Sequence, residues 1–261
     1  MIGIFDSGIG GLTVVKAILK SLPQYDIIYF GDTARTPYGT KSKDTVIKYA
    51  IEDTEFLLKN GAKIIVIACN TASSLATEKL VELFDVPIFE VITPAVELSI
   101  DVSKTFSIGV IGTRATISSA VYEKKIKELR PNAKVYSQPC PLLVPLVEEG
   151  WVKKPETKMI VKKYIHPLKT RQIDTLILGC THYPLLKEVI QHKIGRRVNI
   201  IDSSSSVALK VSNFLREHPE IDETLSKTSS VRFCVSDITE QFRKIAQETL
   251  RKNVSLELIR F

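Results

Sequence analysis

The sequence predicts an α/β protein of two pseudosymmetric domains, each a mainly parallel sheet flanked by helices, with an active site in the cleft between them. Three observations carry that expectation. Short apolar, β-branched runs alternate with longer segments of helical periodicity. The 261 residues suffice for two separate hydrophobic cores. Finally, Ile64-Ile65-Val66-Ile67-Ala68-Cys69-Asn70-Thr71-Ala72 is paralleled by Thr175-Leu176-Ile177-Leu178-Gly179-Cys180-Thr181-His182-Tyr183. In each, a buried strand ends in a small residue, and a cysteine follows where a helix is expected to start.

Residues 2–5, 26–30, 64–68 and 88–91 read as the first four strands, and 12–22, 45–59 and 72–84 repeat apolar residues at helical spacing between them. Pro23, Gly61 and Pro87 punctuate these elements. A second series starts near Pro94, with strands at 106–111, 134–136, 175–178 and 199–201 and helices at 115–129, 142–149, 155–168 and 184–193. The tail adds a helix at 206–216, a strand at 231–235, a helix at 238–250 and a strand at 255–259, which could complete either half.

Hydrophobic residues make up 44% of the chain and charged residues 25%, with no low-complexity tract, which excludes disorder. The formal net charge is +7 but scattered. Lys124-Lys125-Ile126-Lys127 and Lys162-Lys163 stand among Glu123, Glu128 and Glu156, as on solvated helix faces rather than a nucleic-acid footprint. Met1 runs directly into a strand-like segment, without the charged and apolar regions of a signal peptide, and no apolar stretch reaches membrane-span length. The cytoplasm is therefore the expected compartment. Cys69, Cys140, Cys180 and Cys234 are widely spaced, without Cys-x-x-Cys or nearby histidine ligands, so neither a metal site nor a disulfide framework is expected.

A lone cysteine is commonly a small buried hydrophobe. Cys69 and Cys180 differ because they share one strand-end position, where helix-start N–H groups and the helix dipole favour a thiolate. Cys140, between Pro139 and Pro141, and Cys234, within a strand, lack that context and read as structural. Two matched acid/base groups facing one cleft suit inversion at carbon, in which one removes a proton from one face while the other delivers a proton to the opposite face. A single nucleophilic cysteine would instead require a dedicated base and an oxyanion hole.

Asp6-Ser7-Gly8-Ile9-Gly10-Gly11 follows the first strand, where backbone N–H groups can approach an anion. A dinucleotide site is the weaker interpretation, although Asp32 ends the second strand where a ribose-binding acid would sit. The third glycine of the fingerprint falls at Thr13, and Asp6 would crowd a pyrophosphate. Asp6 either contacts a substrate ammonium, tunes Cys69 or simply caps a helix. Gly31-Asp32-Thr33-Ala34-Arg35-Thr36-Pro37-Tyr38-Gly39 is a ligand loop or a plain turn. Asn70-Thr71 and Thr181-His182 flank the cysteines with groups suited to a carboxylate; Thr113, Thr116 and Ser118 do likewise or cap a helix. His182 lacks metal-ligand spacing but could hold or relay a proton beside Cys180, whereas Glu148 is ambiguous in isolation.

Together, Phe5-Asp6-Ser7-Gly8-Ile9-Gly10-Gly11-Leu12, the Asp32-to-Gly39 loop, Ala68-Cys69-Asn70-Thr71-Ala72-Ser73 and Leu178-Gly179-Cys180-Thr181-His182-Tyr183-Pro184-Leu185 closely resemble the bacterial glutamate racemases, within the aspartate/glutamate racemase superfamily. The resemblance covers nearly the whole chain. It implies a cofactor-independent enzyme interconverting L- and D-glutamate and supplying the D-isomer for peptidoglycan. It also implies that Cys69 deprotonates D-glutamate with support from Asp6, and that Cys180 deprotonates the L-isomer with support from Glu148 and His182. Substrate contacts would fall to Asp6, Ser7, Pro37, Tyr38, Gly39, Asn70, Thr71, Thr113, Thr116, Thr181 and His182. By the same resemblance, residues 1–94 and 208–261 form one domain and 95–207 the other, in a homodimer. Aspartate or hydantoin racemases share the paired cysteines; an anion- or nucleotide-binding module and a basic nucleic-acid binder are rivals of other classes.

Overall fold

A computed structural model describes residues 1–260; Phe261, the last residue expected in the first domain, lies outside the described residues. In order, the chain forms β1 (Ile2–Asp6), α1 (Leu12–Ser21), β2 (Ile27–Gly31), α2 (Lys43–Lys59), β3 (Ile64–Ile67), α3 (Asn70–Leu83), β4 (Ile88–Glu90) and α4 (Ile92–Val102). Next come β5 (Ser107–Gly112), α5 (Arg114–Ser118), α6 (Val121–Leu129), β6 (Lys134–Pro139), α7 (Leu143–Glu148), α8 (Pro155–Thr170), β7 (Thr175–Gly179) and α9 (Lys187–Ile194). The remainder is β8 (Asn199–Asp202), α10 (Ser203–Glu217), α11 (Pro219–Asp222), β9 (Val231–Val235), α12 (Glu240–Leu250) and β10 (Leu256–Leu258).

Two parallel sheets result, one ordered β10-β9-β2-β1-β3-β4 and the other β6-β5-β7-β8. Helices cover both faces of each, so both faces of a strand are apolar. Ile4 enters one core with Leu12 and Val211 while its neighbour Phe5 enters another with Val46 and Ala72. Leu176 and Leu178 likewise pack on one face of the smaller sheet and Ile177 on the other. The expected α/β architecture of two parallel-sheet domains is what the chain adopts.

Between the sheets the chain crosses through helices. It leaves the larger sheet through α4, which follows β4, and returns through α10 and α11 to β9, which pairs with β2. The two crossing helices pack together, and the Lys210 ammonium lies 3.3 Å from the Glu97 carboxylate on their shared surface.

Several elements depart from expectation. α4 begins before Pro94, because the third helical position has no intrahelical hydrogen bond for proline to break; the Glu90 carboxylate accepts the Thr93 N–H there at 2.8 Å. The helix expected over 115–129 is two helices, broken where Ala120 adopts left-handed backbone with φ of 56°. The helix expected from Pro184 is a 3-10 turn, Tyr183–Leu186, followed by α9. Among the basic clusters, Ile126 is buried while Lys124, Lys127, Lys162 and Lys163 are exposed, and Lys127 pairs with Glu123 at 2.6 Å, as on a solvated helix face. No helix among the described residues is long and apolar enough to cross a membrane.

Candidate active site

The carboxyl ends of four strands converge on one point between the sheets, the usual location of ligand sites in parallel α/β folds. Asp6 ends β1, Cys69 follows β3, Thr113 follows β5 and Cys180 follows β7. A cavity of about 20 Å³ at this point is lined by Ser7, Pro37, Tyr38, Gly39, Cys69, Asn70, Thr71, Thr113, Val144, Cys180, Thr181 and His182. Both cysteines therefore face one space, one from each sheet. That space holds about one water molecule, so the cleft is closed and must open for anything the size of an amino acid to enter.

Cys69 is the residue preceding α3, buried, with its Sγ 3.8 Å from Ser7 Oγ. The thiolate expected there is not favoured in the closed cleft. Burial, followed by the neighbouring Asp6 carboxylate, pushes the thiol up to about 12, outweighing the Ala72 N–H and the Ser7 hydroxyl, which act in the opposite sense. Helix-start support exists, but desolvation is the larger effect.

Asp6 is completely buried and shapes the loop above it. Its Oδ2 accepts the N–H groups of Gly8 at 3.0 Å and Gly11 at 2.9 Å, and its Oδ1 accepts the Thr181 hydroxyl at 3.1 Å. Burial raises its pKa; the nearby His182 and these donors restrain the rise. Asp6 thus caps the loop as a structural acid would, while also lying close enough to Cys69 to bias it.

The second cysteine differs in its support. No α-helix starts at Cys180; Thr181 and His182 lead into the 3-10 turn, where Pro184 has no N–H to offer, and α9 begins only at Lys187. In place of a helix dipole, His182 Nδ1 lies 3.7 Å from Cys180 Sγ, and His182 Nε2 lies 3.2 Å from Glu148 Oε1. Burial disfavours the imidazolium, but the contacts with Cys180 and Glu148 prevail and hold His182 well above its ordinary value. Glu148, at the end of α7, does not line the cavity; it also sits 3.4 Å from the Thr36 hydroxyl across the cleft.

Hydroxyls cluster opposite. Thr71 Oγ1 lies 3.0 Å from Thr113 Oγ1 and 3.3 Å from Thr116 Oγ1. Thr116 stands behind the cavity wall, bonded to Thr113 at 3.0 Å, whereas Ser118 is exposed and does not reach the cavity. Asn70 Oδ1 accepts the Tyr122 hydroxyl at 2.6 Å, and its Nδ2 is buried without a partner.

The loop after β2 is locked by buried charge. Asp32 accepts Arg35 Nε at 2.6 Å, the Tyr38 hydroxyl at 2.5 Å and the Ser236 hydroxyl at 2.9 Å. Asp53, from α2, accepts the same tyrosine at 2.9 Å and Arg35 Nη2 at 3.1 Å. With its oxygens so engaged, Asp32 is not placed as a ribose acceptor. The glycine loop is likewise covered by the second domain: a Cβ on Gly10 would lie 2.2 Å from Thr181 Oγ1 and 2.6 Å from His182 Nδ1. Both features argue against a dinucleotide site.

Cys140 and Cys234 are buried and do not line the cavity, and burial pushes the Cys234 thiol up to about 11. Among the described residues, no group of three His, Cys, Asp or Glu side chains could hold a metal. A larger cavity of about 650 Å³, bounded by Thr13, Lys16, Val147, Pro184 and Glu248, contains neither Cys69 nor Cys180. Only the smaller of the two is lined by both cysteines. Val144 in its wall, Asp53 bonded to Tyr38 and Tyr122 bonded to Asn70 carry no local sequence signal, being an apolar residue, a mid-helix acid and a tyrosine inside a segment expected to be one long helix.

Residues 7–210 match the family described as Asp/Glu/Hydantoin racemase. The glutamate racemase of Persephonella marina is 47% identical over 98% of this chain and 95% of its own. A glutamate racemase isoform from Bacillus anthracis superposes with a TM-score of 0.93 at 38% identity, covering 100% of this chain and 97% of that one. The Francisella tularensis glutamate racemase, solved in complex with D-glutamate, gives 0.91 at 41% identity over 99% and 97% of the two chains.

Proposed function

The chain belongs to the Asp/Glu/hydantoin racemase family, and on that premise we propose that it interconverts L- and D-glutamate by two-base chemistry between Cys69 and Cys180. The observation that carries this proposal is the pair of cysteines facing one closed cavity from two similar strand ends.

The two sides are unequally prepared. Cys69, held up at about 12, keeps its proton and is the acid for the L-to-D direction. Cys180, with the His182 imidazolium 3.7 Å away, is the base that takes the α-proton of L-glutamate. His182 and Glu148 then adjust the charge on that side. In the reverse direction Cys69 must give up its proton before it can act as base. Entry of the substrate ammonium beside Asp6 offsets the negative charge that opposes the thiolate.

Removing so weakly acidic a proton requires the developing charge to meet fixed donors in a dry site. Asn70 Nδ2 and the hydroxyls of Ser7, Thr71 and Thr113 supply donors around the cavity, with Pro37, Tyr38 and Gly39 also lining it; Thr116 holds two threonines in place, and the Thr181 hydroxyl is committed to Asp6. Admission of substrate then needs the domains to part. We assign residues 1–94 and 208–261 to one domain and 95–207 to the other, which sets the boundaries within α4 and α10. A homodimeric enzyme supplying D-glutamate for peptidoglycan is what the family resemblance implies, with the cytoplasm as the expected compartment.

Incubation with L-glutamate in deuterated water tests the assignment. Loss of optical rotation with α-deuterium incorporation is the expected result, abolished in Cys69→Ser and Cys180→Ser. Absence of both signals in the unsubstituted protein rejects it, and faster turnover of L-aspartate would reassign the substrate.

A further inference from the structure

We propose that Tyr122 is a positioning residue, fixing the Asn70 amide from across the domain boundary so that Asn70 Nδ2 presents its N–H groups to a substrate carboxylate. This builds on the assignment of the cavity to an acidic amino acid. A primary amide has one acceptor and two donors. In Asn70 the acceptor is taken by the Tyr122 hydroxyl at 2.6 Å, while the buried Nδ2 has no protein partner and the residue lines the cavity. An unmatched buried donor is costly to retain. The group it lacks is an acceptor, and a carboxylate oxygen in the cavity provides one.

Tyr122 is built for this task. It is 2% exposed, on α6 of the second domain, whereas Asn70 opens α3 of the first. Its ring also packs on the strand carrying the second cysteine: a Cβ on Gly179, the residue before Cys180, would lie 3.1 Å from Tyr122 Cε2. One side chain therefore spans the Asn70 amide and the Cys180 strand end. Without the hydroxyl the amide is free to turn over, which would present its carbonyl oxygen to the substrate carboxylate and replace attraction with repulsion.

Tyr122→Phe keeps the ring and removes only the hydroxyl. The expected result is KM for both L- and D-glutamate raised about tenfold, with kcat changed less than about threefold. Asn70→Ala, which leaves Tyr122 in place, should raise KM by a similar factor, and adding Tyr122→Phe to it should raise KM no further. An active Tyr122→Phe enzyme with KM within about twofold of the parent, an unchanged KM in Asn70→Ala, or multiplicative effects in the double variant would each overturn the proposal. Failure of the substrate assignment is distinguishable, since the parent protein would then not racemise glutamate. In that case the side-chain 15N–1H signals of Asn70 decide: a shift in Tyr122→Phe supports the fixed amide, and unchanged signals refute it.

Discussion

Glu148 Oε1 lies 3.2 Å from His182 Nε2, on the other edge of the imidazole from the Cys180 sulfur, so a carboxylate at the end of α7 supports a proton held beside the thiol that follows β7. Burial alone would lower the His182 pKa, and the contacts with Cys180 and Glu148 raise it well above its ordinary 6.5. A raised histidine contributes stability that is present in full below about pH 6.5 and is lost as pH rises through the folded-state value. Glu148→Gln keeps the size and removes the charge, which moves that loss to lower pH. We expect kcat in the L-to-D direction to fall about tenfold at neutral pH, with the alkaline limb of the pH profile shifted downward. A profile superimposable on the parent's would show that Glu148 does not act through His182.

Cys69 offers a test that needs no turnover. Burial and Asp6 place its thiol at about 12, against 9 for an ordinary cysteine. Only the thiolate alkylates, so the rate of iodoacetamide labelling at Cys69 should climb about tenfold per pH unit well past pH 9. A free thiol would level off there. Mass spectrometry of the Cys69 peptide across pH 7–10.5 measures this directly, and a plateau below pH 9 contradicts the buried, acid-flanked thiol.

Gly10 packs tightly against the residues that follow β7. A methyl group there would sit 2.2 Å from Thr181 Oγ1 and 2.6 Å from His182 Nδ1, and neither neighbour is the loose end of a long side chain. Gly10→Ala should push His182 from Cys180 and the Thr181 hydroxyl from Asp6. Activity is expected to fall at least about a hundredfold while overpacking costs about 1–3 kcal/mol. Circular dichroism and thermal melting separate the two effects; parental activity in the variant would mean the interdomain contact is not needed for chemistry.

Much of this was legible in the chain. Strands such as Ile64–Ile67 and Thr175–Gly179 are buried on both faces, so their continuous apolar runs stand out, and the cysteines after them are easily aligned. What sequence periodicity did not reveal was set by single backbone positions and by distant partners. Ala120 in a left-handed conformation splits a helical pattern that looks continuous, and a 3-10 turn over Tyr183–Leu186 precedes the α-helix expected from Pro184. Asp53 and Tyr38 lie fifteen residues apart, on α2 and the β2 loop, and only folding brings them together. The support for each cysteine is likewise nonlocal: Cys69 is biased by Asp6, and the partner of His182 lies thirty-four residues away.

Among the described residues, the charge cluster around Tyr38 depends on a single cation, Arg35. Asp32 and Asp53 are both fully buried, and Arg35 bridges them while the Tyr38 hydroxyl donates to either. Burial, followed by Asp32, raises Asp53 well above the ordinary carboxylate range, with Tyr38 and Arg35 opposing that rise. Arg35→Met would leave two buried carboxylates without their guanidinium, a loss of about 3–5 kcal/mol in comparable buried pairs. For a chain of this size that corresponds to a fall of about 10 °C in Tm at neutral pH. The sign of the pH dependence follows from the raised carboxyl. Its burial is most costly when it is ionised, so the penalty should shrink as pH falls and one carboxyl takes up a proton. Because Tyr38 lines the cavity, the glutamate KM should rise along with the loss of stability. Melting curves of parent and variant between pH 5 and 8 test this; a Tm difference that is constant or grows toward pH 5 would mean that Arg35 does not serve to neutralise Asp32 and Asp53.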